Sequence, residues 1–248
     1  MRIFGLIGRS LAHSFSQRYF TEKFVHLALP DCRYELFELA DIAELPRLLA
    51  ERPDLAGLNV TIPYKEQVVP YLVRVADSAA HVGAANVLEV LPDGGLVGYN
   101  TDYLGFRESL RRFYPGRGPA LVLGTGGAAR AVQVALEELG IGYQSVARTP
   151  QSNCLTYAEV TPALLARCPL LINATPLGTY PAVAGCPALP YAALTAGHYL
   201  FDLVYNPQET RFLQLGRAAG AHIRNGLEML ELQAEAAWDI WNGRVPGQ

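Results

Sequence analysis

The chain has 248 residues, half of them hydrophobic, and a formal net charge of −3. This length allows one large domain or two ordinary ones around a sizeable buried core. Charges of both signs are interspersed, with no basic stripe for nucleic acid and no polybasic segment for a membrane, so we expect small-molecule partners.

Two further features bear on where the protein works. No segment approaches the roughly twenty apolar residues that a membrane span needs, and the first apolar run is too short for the core of a signal peptide, which predicts a cytoplasmic protein. The cysteines have neither the spacing of a zinc site nor the density of a disulfide scaffold, so we predict buried thiols and no bound metal. They are Cys32, Cys154, Cys168 and Cys186.

The first part of the chain alternates short apolar strands with amphipathic helices. Strands are predicted at 3–7, 34–39 and 57–61, and helices at 17–27, 42–50 and 67–75. This alternation is typical of a mostly parallel sheet with helices on its faces. Two more strands follow, joined by a Pro-Asp-Gly-Gly turn.

Two serines, Ser14 and Ser16, lie at the predicted start of the first helix. Backbone N–H groups at a helix start are unpaired and the helix dipole favours negative charge there, so added hydroxyls suit a carboxylate or a phosphate. The alternative is that one serine only caps the helix. We interpret His13, beside them, as a local hydrogen bonder.

The stretch GLNVTIPYKE, residues 57–66, carries the most informative side chain. The end of its strand places Asn59, Thr61 and Lys65 close together, as expected where the end of a strand contributes polar groups to a binding site. The chain contains 18 Arg but only two Lys, Lys23 and Lys65. Arg stays protonated at any working pH, whereas Lys can exchange a proton with a substrate, so Lys65 is a candidate acid or base. The alternative is a solvated surface lysine.

Polar residues flank the predicted hairpin. Asn86 lies near its first strand, and Asn100, Thr101 and Asp102 end its second. Asn at strand ends is usually a turn former, and Asp102 can equally be the N-cap of a helix predicted at 103–112. A linker-like PGRGP at 115–119 then precedes a new series of strands and helices.

The second half begins with a buried strand at 120–123 and the sequence GTGGAA, which opens a helix that ends near Gly140. This matches G-x-G-x-x-A between a strand and a helix, where glycines allow a tight turn and close approach to a pyrophosphate. The motif predicts a dinucleotide-binding site, and the alternative is a structural glycine turn. Its residues include Gly124, Gly126, Gly127 and Ala128.

The residues after the next strand, at 143–147, indicate which dinucleotide is bound. An NAD-specific site would place Asp or Glu there, whereas this chain has Arg148 and Thr149. Arg148 can pair with a 2′-phosphate, so NADP is favoured. Further strands are predicted at 170–173 and 199–204. A last helix begins after Gly226, and Gln233 interrupts its apolar flank as either a structural hydrogen bonder or a ligand contact.

Seven blocks in this order resemble the shikimate dehydrogenase family over residues 7–243. They are HSFS at 13–16, NVTIPYK at 59–65, GAAN at 83–86, NTD at 100–102, GTGGAAR at 124–130, NATPLG at 173–178, and GLEML with Gln233 near the end. The resemblance implies an α/β protein with a mostly parallel N-terminal substrate domain, residues 1–101 and 226–248, and a Rossmann-type dinucleotide-binding domain, residues 102–225. The C-terminal helix would return to the first domain, with the active site in the cleft between the two.

The resemblance also implies a reaction, the reversible NADPH-dependent reduction of 3-dehydroshikimate to shikimate on the way to chorismate and aromatic amino acids. Lys65 and Asp102 would form the catalytic acid–base pair, and a cationic donor suits a developing alkoxide. The substrate carboxylate would be held by Ser14, Ser16 and Tyr205, and ring hydroxyls by Asn59, Thr61, Asn86 and Gln233. The cofactor would be held by Gly124, Gly126, Gly127, Ala128, Arg148, Thr149, Thr175 and Gly226. The chain would be a monomer or a homodimer.

The sequence departs from the family pattern at three points. Gln17 stands where Pro is usual, Thr179 stands where Met is frequent, and no second basic residue follows Arg148, which weakens the expected preference for NADP. The alternative functions are a quinate/shikimate dehydrogenase of broader specificity and a catalytically silent NADP-binding sensor of the same fold. A silent sensor is expected to have lost Lys65 or Asp102, and both are present.

Overall fold

The structure is a computed structural model that describes residues 1–11, 14–116 and 118–244. His13, which was interpreted as a local hydrogen bonder, and Arg117, in the predicted linker at 115–119, lie outside the described residues. The strands are β1 Arg2–Gly8, β2 Cys32–Glu38, β3 Leu55–Val60, β4 Arg74–Val75, β5 Val87–Val90, β6 Leu96–Tyr99, β7 Ala120–Leu123, β8 Tyr143–Ala147, β9 Cys154–Thr156, β10 Leu170–Asn173, β11 Tyr199–Asp202 and β12 His222–Arg224. The α-helices are α1 Phe15–His26, α2 Leu45–Glu51, α3 Tyr64–Gln67, α4 Asp77–Val82, α5 Asp102–Phe113, α6 Gly127–Glu138, α7 Pro162–Leu165, α8 Arg211–Ala218 and α9 Leu227–Trp241.

The chain divides into two compact units. The first comprises Met1–Thr101 with Ala234–Gln248, and the second comprises Asp102–Gln233. The first change of unit falls between Thr101 and Asp102, and the second falls inside α9. This helix is continuous, with its first turns belonging to one unit and its last turns to the other.

The first unit is built on a mixed six-stranded sheet with the order β2-β1-β3-β5-β6-β4. Strand β1 is parallel to β2 and β3, while β5 is antiparallel to both β3 and β6. Successive side chains of a strand face opposite sides of a sheet. Accordingly, Ile3 joins a core cluster with Leu45 of α2, and Phe4 joins another with Phe20 of α1 and Trp241 of α9.

The second unit contains a six-stranded sheet with the order β12-β11-β10-β7-β8-β9, in which every neighbouring pair is parallel. This is the doubly wound strand order of dinucleotide-binding domains. All residues of β7 and β10 are buried, as expected for central strands covered on both faces. Strand β9, which was not predicted, follows β8 through residues 148–153 without an intervening helix.

The helix predicted at 67–75 is wrong. The structure instead has the short helix α3, a 3₁₀ turn at Val69–Tyr71 and the edge strand β4, which pairs with β6. Pro70 cannot donate a backbone hydrogen bond, so it breaks the regular helical pattern that the apolar spacing suggested. The predicted hairpin of β5 and β6 is present.

The prediction of four buried thiols is also wrong for three of the cysteines. Cys168 is buried, whereas Cys32, Cys154 and Cys186 are partly exposed, and all four are free thiols. Among the described residues, no helix combines the length and apolar character needed to cross a membrane.

Candidate active site

Several predicted substrate residues lie along one edge of the first sheet. The parallel strands β1 and β3 end side by side, and Thr61 N donates to Ile7 O at 2.9 Å. Because β5 runs antiparallel to β3, its start lies beside the end of β3, and Val60 N donates to Asn86 O at 2.9 Å. The carboxyl edge of a parallel sheet is where open α/β folds bind ligands. The topology therefore brings Thr61 and Asn86 together at this edge.

Helix α1, which carries the two serines at its start, is the next element after β1. Ser14 is the N-cap of α1, and its Oγ accepts a hydrogen bond from Gln17 N at 3.2 Å. Ser16 lies in the first turn of the helix. The capping alternative is thus realised at Ser14, but a hydroxyl that accepts from the backbone retains its own proton for a ligand. Capping and anion binding are compatible at this residue.

Asn59, near the end of β3, is buried, and two neighbours fix its amide. Tyr34 Oη donates to Asn59 Oδ1 at 2.6 Å, and Asn59 Nδ2 donates to the main-chain oxygen of Asn86 at 3.4 Å. Sequence reasoning missed Tyr34, because only the fold brings its hydroxyl, on β2, to Asn59 of β3.

Asn86 links the two ends of the hairpin. Its Oδ1 accepts from Thr101 N at 2.6 Å, and its Nδ2 donates to Thr101 Oγ1 at 3.1 Å. Asn100 Nδ2 donates to Ala84 O at 2.9 Å in the same region. These bonds satisfy buried polar groups. They show that Asn86 has a structural task in addition to its predicted role as a substrate contact.

Lys65 is placed by the short helix α3 directly after the sheet edge. Its neighbour Tyr64 is fully buried and donates to Leu39 O at 2.6 Å, while Lys65 O accepts from Ala85 N at 2.8 Å. These contacts anchor the backbone at Lys65. The other lysine, Lys23, has a different task, since its Nζ lies 2.7 and 2.6 Å from the two carboxylate oxygens of Glu235.

Three predicted residues belong to the second unit. Asp102 is the first residue of α5, one position inside the helix rather than its N-cap. Tyr205 lies in the loop after β11 and is partly exposed. Gln233 is buried, and its Nε2 donates to Leu230 O at 2.9 Å, so the structural alternative holds for at least one of its amide protons.

The glycine-rich sequence forms the predicted turn between β7 and α6. Gly124 has a φ of +117°, and a Cβ there would lie 3.0 Å from Ala174 O, so only glycine fits comfortably. Gly126 is the N-cap of α6 and no side chain caps the helix. Gly127 and Ala128 form its first turn, while Ala129 is fully buried. The start of α6 therefore has no side-chain cap, as is typical of helix N-termini that bind phosphates.

A cavity of about 370 Å³ lies beside this turn. It is lined by Gly124, Thr125, Gly126, Val146, Ala147, Arg148, Thr149, Gln151, Tyr157, Ala174, Thr175, Pro176 and Leu177. The lining combines the glycine turn with the ends of β8 and β10, as a bound adenosine moiety requires. These residues fit a dinucleotide, and they unite five predicted cofactor residues, namely Gly124, Gly126, Arg148, Thr149 and Thr175.

Tyr157 and Gln151 also line this cavity and were not predicted, because no sequence pattern marks them. Burial raises the pKa of Tyr157, and the nearby positive charge of Arg148 lowers it. Gly226 is outside the lining. A Cβ at Gly226 would lie 2.1 Å from Leu203 O, so close backbone packing requires a glycine there.

Comparison with known proteins now identifies the family. The model of the shikimate dehydrogenase substrate binding domain matches residues 6–88. A protein of Clostridium beijerinckii named shikimate dehydrogenase (NADP(+)) is 38% identical over 258 residues, which cover 97% of this chain and 92% of that protein. The chain belongs to the shikimate dehydrogenase family.

Solved structures of the family share its architecture. Shikimate 5-dehydrogenase from Thermus thermophilus, in complex with NADP(H) and shikimate, is similar with a TM-score of 0.87 and 35% identity, covering 99% of this chain and 95% of that one. Quinate dehydrogenase from Corynebacterium glutamicum, in complex with NAD, is similar with a TM-score of 0.87 and 27% identity, covering 98% and 94%. The predicted family and the α/β fold with a Rossmann-type second sheet are confirmed.

Proposed function

We propose that this chain is an NADP-dependent shikimate dehydrogenase, which reversibly reduces 3-dehydroshikimate to shikimate in aromatic amino-acid biosynthesis. The observation that carries the proposal is 35% identity over 99% of the chain to the Thermus thermophilus enzyme solved with NADP(H) and shikimate. The sheet edge and the dinucleotide cavity described above support it. Free thiols at all four cysteines suit a reducing cytoplasm, where the chain would act as a monomer or a homodimer.

The first unit would bind the substrate. Ser14, with Ser16 and Tyr205, is proposed to hold the carboxylate, because a helix start with a hydroxyl suits an anion. The ring hydroxyls would meet Asn59, Thr61, Asn86 and Gln233. The sheet edge supports this assignment for the residues of the first unit, which present amides and hydroxyls suited to hydroxylated rings.

The second unit would hold the dinucleotide. Its glycine turn is proposed to bind the pyrophosphate through the N-terminus of α6, with Gly124, Gly126, Gly127 and Ala128 as the closely approaching backbone. Arg148 and Thr149 would contact the 2′-phosphate, and Thr175 and Gly226 would complete the site. When bound, NADPH supplies the hydride that reduces the ring ketone.

Lys65 is proposed to donate the proton that the developing alkoxide needs, with Asp102 as its partner in proton exchange. An ammonium near the carbonyl oxygen stabilises negative charge there and can release a proton to it. In the direction of shikimate oxidation the same pair takes the proton back. Asp102 lies in the first turn of α5.

The test is a turnover assay that follows NADPH absorbance with shikimate or quinate, each with NADP or NAD. We expect the fastest turnover with shikimate and NADP. The similarity to a quinate dehydrogenase solved with NAD makes activity on quinate the second candidate. No turnover with any of the four pairs would contradict the enzyme proposal and favour a silent sensor.

A matched pair of lysine variants tests the proton donor. Lys65→Arg keeps the charge but places a group that cannot release its proton, so kcat should fall about 10²-fold or more. Lys23→Arg should keep near-normal kcat, because an arginine can retain the ion pair with Glu235. Near-normal turnover of Lys65→Arg would remove Lys65 from the mechanism.

A further inference from the structure

Tyr157 lies beside Arg148 at the carboxyl edge of the second sheet. Strands β8 and β9 are parallel neighbours, and their last residues, Ala147 and Thr156, are paired. Arg148 and Tyr157 directly follow these two paired residues, and both line the cavity of about 370 Å³ beside the glycine turn. The register of the sheet therefore brings the guanidinium-bearing residue and the phenol-bearing residue to the same dinucleotide cavity.

A short connection and a local hydrogen-bond pair fix the backbone at Tyr157. Residues 148–153 join β8 to β9 without a helix, which places the end of β9 directly next to the end of β8. Glu159 Oε2 then accepts from Thr156 N and from Thr156 Oγ1, both at 2.7 Å. A side chain on a fixed backbone can contact a ligand with a smaller loss of conformational freedom.

The hydroxyl oxygen of Tyr157 is buried and has no hydrogen-bond partner among the described residues. Buried polar atoms are nearly always hydrogen-bonded, because their lost hydration is otherwise not offset. Tyr191 packs against the same core cluster, yet it donates to Pro187 O at 2.7 Å. Burial raises the pKa of Tyr157, so its hydroxyl keeps a proton at physiological pH. A donor without an acceptor, on a residue that lines a cavity, indicates that a ligand supplies the acceptor.

The charge of the cavity favours an anionic acceptor. Of the described residues that line it, only Arg148 carries a charge. In doubly wound folds, the end of the second strand is where the adenosine ribose lies, and an arginine there accommodates a 2′-phosphate. No second basic residue follows Arg148 within residues 149–153. A neutral donor beside Arg148 is therefore the group that such a phosphate site still needs.

We propose that Tyr157 is a cofactor-specificity residue, whose hydroxyl donates a hydrogen bond to the 2′-phosphate of an NADP molecule held by Arg148. The inference rests on the proposed function, because it takes NADP as the cofactor, and it adds a second phosphate ligand in place of a second basic residue. The hydroxyl then has opposite effects in two states. It destabilises the protein without cofactor, where it is unsatisfied, and it stabilises the complex with NADP.

Tyr157→Phe tests both effects, because it keeps the ring and removes only the hydroxyl. Affinities for NADP and for 2′,5′-ADP, measured by titration calorimetry, should fall about tenfold or more, since a hydrogen bond to a charged group is lost. The affinity for NAD, which lacks the 2′-phosphate, should stay nearly unchanged. The thermal unfolding midpoint without cofactor should rise, because an unsatisfied buried polar atom is removed. Equal losses of affinity for NADP and NAD would overturn the assignment.

The matched control is Tyr191→Phe, which removes a hydroxyl that has a partner from a tyrosine packed against the same core cluster. It should lower the unfolding midpoint and leave the affinity for 2′,5′-ADP unchanged. A Tyr157→Phe variant with this same profile would make Tyr157 merely structural and overturn the proposal.

The same measurements separate this proposal from the proposed reaction. Wild-type protein that binds 2′,5′-ADP but does not turn over shikimate would overturn the reaction, while the effects of Tyr157→Phe would still support the phosphate contact. Wild-type protein that binds neither NADP nor 2′,5′-ADP would overturn the cofactor and the phosphate contact together.

Discussion

Replacing Gly57 by alanine tests the packing that holds strand β3 against helix α9. A Cβ at Gly57 would lie 2.2 Å from Trp241 Nε1, 2.4 Å from Cδ1 and 2.6 Å from Cε2. The indole is held in place because Nε1 donates to Leu88 O at 3.0 Å and the ring stacks on Phe4 with 4.8 Å between centroids. The added methyl group must therefore displace Trp241 or the strand.

The expected cost combines three terms. Overpacking of a filled core costs about 1–3 kcal/mol, and losing the Trp241 hydrogen bond costs about 1 kcal/mol more. Alanine restricts the unfolded chain more than glycine does, which returns about 0.4–1 kcal/mol. We expect the free energy of unfolding to fall by about 2–3 kcal/mol.

Urea unfolding followed by tryptophan fluorescence measures this change, because both tryptophans of the chain lie in α9. Gly142→Ala is the control, since the nearest atom to its Cβ would be 3.9 Å away, on Pro119. In a Trp241→Leu background the cost of Gly57→Ala should largely disappear. An unchanged midpoint for Gly57→Ala, or the same loss without the indole, would refute the packing argument.

Two further predictions concern the second unit. Arg148→Ala should raise the KM for NADP about tenfold or more and leave that for NAD nearly unchanged, because a hydrogen bond to a charged phosphate contributes about 1.5–3 kcal/mol. Equal changes for both cofactors would contradict a 2′-phosphate contact. Burial raises the pKa of Asp202 to about 6, although Thr210, Val204 N and Asn173 donate hydrogen bonds to it. Between about pH 4 and pH 6 the carboxyl group is therefore protonated in the folded protein and ionised in the unfolded chain. The free energy of unfolding should fall by about 3 kcal/mol as the pH rises through this range. Asp202→Asn should abolish this decrease when the free energy of unfolding is measured as a function of pH. The same pH dependence in the variant and the wild type would contradict the prediction.

The features that sequence predicted well are those encoded locally. Gly124 needs a positive φ, and the β7–turn–α6 unit that it opens is specified by residues adjacent in sequence. The hairpin of β5 and β6 is likewise specified by its own turn. Such units were placed to within a few residues.

The features that sequence did not predict depend on distant partners. Strand β4 exists because Arg74 and Val75 pair with β6, which outweighs the helical spacing of the preceding apolar residues. Tyr34 has the sequence context of an ordinary strand residue, and its task is defined only when the fold brings Asn59 to its hydroxyl. The partial exposure of Cys32, Cys154 and Cys186 likewise depends on which neighbours cover each thiol.

The two lysines of the chain can be distinguished only when composition and structure are considered together. Composition singles out Lys23 and Lys65 equally, since both stand in a chain that otherwise uses arginine. The structure separates them, because Lys23 joins α1 to the middle of α9 through its ion pair with Glu235, an interaction that requires only a positive charge of sufficient reach. Arginine could serve there, so the lysine at position 23 needs no catalytic explanation.

Lys65 stands instead in α3, directly after β3 at the edge of the first sheet where parallel α/β folds bind their ligands. The burial of Tyr64 and the bond from Ala85 N to Lys65 O fix the backbone from which its side chain extends. A fixed backbone at a ligand-binding edge is what a positioned acid requires, because proton transfer depends on geometry before it depends on pKa. If Lys65 is the acid, a releasable proton is required at position 65 and not at position 23. Arginine should therefore lower kcat at position 65 and leave it nearly unchanged at position 23.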